Sequence, residues 1–200
     1  MTMQRRTALQ GCAALAVASL LGCDMGGGQK FAGMDMSGSE QGRDFAPLRD
    51  VSGRPRSIAD FAGKVVVVFF GYVQCPDVCP TTLQELVDAK ALLGGQGSRL
   101  QGVFITVDPE RDTPEVLKAY TEAFSPDIVG LTGTEEEIAA VARAFKVFYK
   151  KVPGREPGSY TMDHSAGMYM YDPQGKLRVY HRYGQGAQAL AQDAKILLGA

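Results

Sequence analysis

Two cysteines with three residues between them, in Cys75-Pro-Asp-Val-Cys79-Pro80, are the side chains of this sequence best suited to do chemistry. A thiolate is both a nucleophile and a ligand for soft metals, so two on one tight loop can hold a metal ion or close a disulfide. The pair follows Val65-Val-Val-Val-Phe-Phe70, an apolar run without alternation that suits a strand buried on both faces. Gly71 ends the run. Pro80 suits a first helical position, and Leu83, Leu86, Val87 and Leu93 recur at helical spacing. Together they predict a helix from Thr81 to about Leu93 with Cys79 at its N-cap, where the positive helix end favours a thiolate.

The rest of the chain reads as the frame for this loop. Phe45 to Asp50 and Arg54 to Ile58 predict a short hairpin, and Gln101 to Val107 a second buried strand. Asp108-Pro-Glu-Arg-Asp-Thr-Pro114 then opens a helix lined by Val116, Leu117, Tyr120 and Phe124, capped by Thr113 or Asp112. Asp127 to Leu131 reads as a third strand. Thr134 and Glu137 form a capping box for a helix running through Ile138, Val141, Phe145 and Phe148 to near Lys150. A loop with Pro153, Gly154, Pro157 and Gly158 leads to Tyr160-Thr-Met-Asp-His164-Ser. Met168 to Tyr171 and Leu177 to His181 make a hairpin around Asp172-Pro-Gln-Gly175, and Ala187 to Leu198 is a closing helix.

That order implies an α/β fold with a central, mostly parallel sheet flanked by helices and with hairpins at both ends. Sites in such sheets gather beyond the carboxyl ends of the strands, so the thiols share a rim with the Asp108 loop. The acids of that loop read first as helix caps and second as groups tuning the thiols. Asp77 reads as a solvated loop acid or a modulator of the loop's charge.

Residues 1–22 read as a signal segment. Arg5-Arg6 precedes the apolar stretch Ala13 to Leu21, too short for an ordinary membrane span, and Leu20-Leu-Gly-Cys23 resembles a bacterial lipobox. Cleavage before Cys23 and acylation of its sulfur would tether the protein at the outer face of the cytoplasmic membrane, with Asp24 resembling an inner-membrane retention signal. The arginine pair fits a general secretory signal better than a twin-arginine one. Residues 23–43 are rich in Gly, Ser, Gln and Met and read as a flexible tether before a single domain over 44–200. Met25, Met34 and Met36 resemble Met-rich copper-handling segments, with plain linker as the simpler reading.

Removal of residues 1–22 leaves 178 residues, ample for one core, and takes away two arginines, so the net charge moves from −1 to −3. A mildly negative domain offers no footprint for nucleic acid. Cys12 is discarded with the signal and Cys23 is used by the lipid, which leaves Cys75 and Cys79. A structural disulfide suits an exported protein, but closing so small a loop removes little chain entropy.

Phe-Phe-Gly-Tyr-Val-Gln-Cys75-Pro-Asp-Val-Cys79-Pro-Thr-Thr-Leu, Val107-Asp-Pro-Glu-Arg-Asp-Thr-Pro114, Leu131-Thr-Gly-Thr134 and Asp163-His164-Ser165 resemble the signature blocks of the Sco/SenC family, in the family's order. The resemblance spans about 44–200. It implies a thioredoxin-like fold and one copper ion, as Cu(I) or Cu(II), held by Cys75, Cys79 and His164. It further implies a role in assembling the dinuclear copper (CuA) centre of cytochrome c oxidase, with oxidase subunit II or another copper protein as acceptor and a periplasmic copper donor. Val73 departs from the family's usual threonine. Two thiolates and an imidazole are a soft trigonal set suited to Cu(I); zinc would accept them with a fourth ligand. His181, on the strand face of Leu177 and Val179, reads as a partly buried structural residue, and Asp163 as a candidate to orient His164 or as a surface aspartate.

Four functions follow: a copper-binding assembly factor without turnover, a thiol–disulfide reductase keeping an acceptor's cysteines reduced, a peroxidase, and a structural lipoprotein. Three residues between the cysteines, and Asp163-His164 where a proline precedes the last hairpin in disulfide-exchange proteins, favour the first.

Overall fold

The computed structural model describes residues 30–199. The signal segment, Cys23 and Met25 lie outside the described residues. In chain order the elements are β1 (Met34–Asp35), β2 (Arg49–Asp50), β3 (Val65–Gly71), α1 (Val78–Leu92), β4 (Leu100–Thr106), α2 (Pro114–Phe124), β5 (Val129–Thr132), α3 (Glu135–Ala144), β6 (Tyr149–Pro153), β7 (Tyr160–His164), β8 (Met168–Tyr171), β9 (Leu177–His181) and α4 (Gly186–Leu198).

Seven strands form one sheet in the order β1-β9-β8-β3-β4-β5-β2. Its centre, β3-β4-β5, is parallel, and antiparallel strands complete both sides. Every residue of β3 and β4 is buried, as their unbroken apolar runs require. Helix α1 lies against α4 and touches α2. Two glycines allow the helices to approach the sheet closely: a Cβ on Gly102 would stand 2.4 Å from Leu86 of α1, and one on Gly130 2.8 Å from Leu117 of α2. Phe145, just past α3, packs with Phe70, Tyr169 and Tyr171.

Three expectations change. The first concerns the tether, because residues 31–42 lie on the fold. Met34 and Asp35 pair with β9, the amides of Ala32 and Gly33 donate to the Asp193 carboxylate at 2.7 and 2.9 Å, and Gln41 Nε2 donates to the Phe145 carbonyl at 2.6 Å. An open strand edge and a buried carboxylate, both far along the chain, order a segment whose composition reads as linker. Met34 is exposed there, while Met36 packs against the core. Second, the N-terminal hairpin shrinks to a bridge between Arg49 and Pro55, and β2 pairs with β5 instead.

The third change matters most for function. Helix α3 stops at Ala144, with Lys146 at a φ of 55°, and the chain returns as β6, paired with β7 in a separate two-stranded sheet. Its tip is the Gly/Pro segment 154–159. Local signals there show only the turn, because the strands' stabilisation comes from each other.

Candidate metal centre

Helix α1 begins three residues earlier than the pattern predicts, with Asp77 at the N-cap position and Cys79 second in the helix. Pro80 falls inside the first turn, where its missing N–H costs nothing. The first helical hydrogen bond is Thr81 N–H to the Asp77 carbonyl at 3.2 Å, so the Cys79 N–H is free to donate to Cys75 Sγ, 3.4 Å away. Asp77 itself is exposed and its side chain caps nothing.

This geometry reverses the expected roles of the thiols. The Cys79 thiol donates to Cys75, and together with the N–H groups of Asp77 and Cys79 it outweighs burial and holds the pKa of Cys75 down at about 4. Cys79 is fully buried, and the negative Cys75 beside it, added to that burial, pushes its pKa far up. The helix end therefore serves Cys75, reached from outside the helix, and Cys79 keeps its proton. In the reduced, metal-free protein iodoacetamide labels Cys75 already at about pH 5 to 6, and Cys79 stays unlabelled, since only the thiolate reacts. Peptide mass mapping checks this; labelling of both cysteines together only above about pH 8 overturns it.

His164 ends β7. Its Nε2 lies 3.5 Å from Cys79 Sγ and its Nδ1 3.1 Å from the Ser165 carbonyl. A carbonyl only accepts, so Nδ1 carries the hydrogen and Nε2 turns a lone pair to the thiols. The ring is wedged between Phe69 and Tyr72, with centroids 6.0 and 5.8 Å away. Cys75, Cys79 and His164 thus offer two sulfurs and a nitrogen, all within 4.8 Å of one another. Metal–sulfur bonds are about 2.3 Å long for zinc and similar for copper, so small rotations bring all three onto one ion. Asp163 is not the group that orients the imidazole. It is exposed on the other face of β7, and the Ser165 carbonyl takes that part.

His181 stands apart from the centre. It is completely buried, with Nε2 2.9 Å from the equally buried Asp193.

The acids of the Asp108 loop do not cap α2; its Thr113 hydroxyl does, as one of the two predicted caps, accepting from Val116 N–H. Asp112 instead accepts from the amide of Val73 at 3.0 Å and from the Thr106 hydroxyl at 2.6 Å, which pins the thiol loop to the end of β4. Burial raises the pKa of its carboxyl. Tyr72 and Ser165 escape a reading of the sequence; Asp112 reads there as a helix cap or an acid tuning the thiols, and its charge does help keep the proton on Cys79, while its bracing of the loop shows only in the structure.

Gly71 gives the site its room. A Cβ there would lie 2.7 Å from Cys79 Sγ, 2.9 Å from Phe104 Cε2 and 3.0 Å from Phe69 Cε1. Gly71→Ala therefore costs about 1 to 3 kcal/mol by overpacking and displaces the Cys79 sulfur. Urea unfolding reads the first effect and metal titration the second; wild-type values in both sink the prediction.

A sequence profile of the SCO1/SenC family matches residues 35–199. The chain belongs to the SCO1/SenC family. It is 35% identical over 195 residues to the mitochondrial SCO2 homologue of Bos taurus, covering 90% of this chain and 73% of that protein. With the mitochondrial SCO1 homologue of Mus musculus it shares 41% over 136 residues, 67% of this chain but only 47% of the relative. Among solved structures, Bradyrhizobium japonicum ScoI with copper bound superposes with a TM-score of 0.67 at 39% identity, over 74% of this chain and 94% of that one. The thioredoxin-like α/β architecture implied by the resemblance thus holds, with a parallel centre inside a mixed sheet. Among the described residues no helix is long and apolar enough to cross a membrane.

Proposed function

We propose that this protein is a membrane-anchored copper-binding assembly factor, which holds one copper ion on Cys75, Cys79 and His164 and passes it to the CuA centre of cytochrome c oxidase. The observation that carries the reading is the convergence of those donors, although His164 stands 85 positions beyond Cys79 in the chain. Two sulfurs and an imidazole lone pair are a soft set that suits Cu(I), and one further ligand adapts it to Cu(II). The copper-bound ScoI relative supports the same cargo here. Copper entry displaces the proton of Cys79, so loading is pH-dependent. Lipid attachment at Cys23 would keep the domain, residues 31–199, at the outer face of the cytoplasmic membrane, in the periplasm, within reach of oxidase subunit II and a copper donor.

The asymmetry of the thiols favours a second reading, a reductase for the acceptor's cysteines. A thiolate at Cys75 can attack a disulfide, and Cys79 can resolve the mixed disulfide once it loses its proton. The two activities compete for the same sulfurs.

The test is copper retention by the reduced protein from residue 31 onward after addition of one equivalent and desalting. Wild type retains one copper per chain with thiolate-to-copper absorption, and Cys75→Ser retains none. Wild type that emerges free of copper, yet reduces an oxidised dithiol peptide with the sequence of a CuA loop, replaces the first reading by the second.

A further inference from the structure

The two halves of the donor set stand on different sheets. The thiols follow β3 of the seven-stranded sheet, whereas His164 ends β7, whose one strand partner among the described residues is β6. Among the described residues no main-chain ladder joins the sheets; residues 165–167 tie His164 to Met168, which pairs with Phe69 of β3, and side chains hold the rest of the β6–β7 hairpin against the thiol loop.

Arg111 lies where those parts meet. Its Nη1 donates to Gln74 Oε1 in the thiol loop and to the Tyr160 carbonyl at the start of β7, both at 2.9 Å. Its Nε donates to Asp108 Oδ2 after β4, and Asp108 Oδ1 in turn accepts from the Tyr160 hydroxyl at 2.9 Å. The guanidinium carbon lies 3.6 Å from the centre of the Tyr160 ring and 5.7 Å from that of Tyr72, the ring that flanks His164. Tyr72 adds a smaller link through its hydroxyl to Thr161. Meanwhile Arg111 Nη2 is buried with no hydrogen-bond partner among the described residues, which costs about 1 to 3 kcal/mol. A fold-only role would be better met by a shorter or apolar residue; a planar fork reaching three elements at once explains the arginine.

We propose that Arg111 is a positioning residue of the copper site: its fork spans the thiol loop and β7 and so sets the separation of Cys75 and Cys79 from His164. It touches none of the donor atoms. The proposal rests on the copper reading above.

The comparison is wild type against Arg111→Gln, Arg111→Lys and Gln74→Ala, each checked for fold by circular dichroism. Copper affinity is read by chelator competition, the thiolate-to-copper spectrum by absorption, and the hairpin by amide hydrogen exchange over 160–165 in the metal-free protein. Arg111→Gln and Arg111→Lys are each expected to weaken copper about tenfold or more, shift the spectrum and speed exchange in the hairpin, as loss of a group orienting a ligand does. Gln74→Ala, which removes one arm only, falls between. Full rescue by lysine would mean that charge, not the fork, matters and overturns the proposal, as would wild-type affinity and exchange in Arg111→Gln. If Arg111→Gln fails to fold, wild-type behaviour of Gln74→Ala decides against it. Wild type that binds no copper removes the copper reading instead, and unchanged hydrogen exchange in Arg111→Gln then removes this one separately.

Discussion

Copper leaves the reduced protein at least about a hundredfold more readily once His164 is replaced by alanine. Removing a group that merely orients a ligand costs about ten- to a hundredfold, and His164 supplies one of only three donors. The two thiols that remain face a gap between Phe69 and Tyr72 where the imidazole stood. The fold should survive, because the β6–β7 ladder is main-chain from Tyr149 with His164 to Pro153 with Tyr160. Chelator competition at equal thiol content measures the loss. An affinity equal to wild type would break the three-donor assignment and leave a dithiol site, whose reduction potential would then become the quantity of interest. His181→Ala is the natural contrast. Its ring is buried against Asp193 away from the thiols, so it lowers stability without touching copper.

Asp193→Ala is expected to destabilise the protein by about 3 to 5 kcal/mol, because it removes a carboxylate that accepts two backbone hydrogen bonds, each contributing about 1.5 to 3 kcal/mol when the acceptor is charged. Asp193 is completely buried on α4, accepts from the amides of Ala32 and Gly33, and lies 2.9 Å from His181 Nε2. Those interactions outweigh burial and hold its carboxyl below the usual range. Its contribution is therefore present above the ordinary carboxylate value and lost as pH falls through the lowered folded value, so it counts in full at neutral pH. Alanine leaves both amides without this acceptor, and the segment at 31–36 loses its clasp. Urea unfolding gives the stability change, and limited proteolysis the release of the segment. A change below about 1 kcal/mol, with the segment still protected, would mean that the β1–β9 pairing alone holds it.

The centre of the fold is legible in the sequence because its signals are local. Val65 to Phe70 and Gln101 to Val107 are apolar without alternation, and burial on both faces of a parallel sheet asks for that. The capping box of Thr134 and Glu137 forms as the spacing predicts, and so does the β8–β9 turn at Asp172 to Gly175. The thiol pair is legible for the same reason: it needs only a strand, a tight loop and a helix start, all contiguous.

Long-range contacts decide the remainder. Residues 149–153 and 160–164 hold each other as strands, and a one-dimensional pattern of charged and apolar residues does not encode a partner across a turn. Residues 31–42 look like linker until the Asp193 carboxylate, 161 positions beyond Ala32, accepts their amides.

The sequence by itself determined the two thiols, the buried parallel strands that present them, and a helix behind them. Which thiol is ionised was left to tertiary structure, since the answer depends on the direction of single N–H groups and on the complete burial of Cys79. So was the ligand tautomer of His164, which the Ser165 carbonyl fixes, and so was the bracing of the loop by Asp112 and Arg111. Hydrogen bonds are directional and desolvation is collective, and neither property belongs to a residue until its distant neighbours are in place.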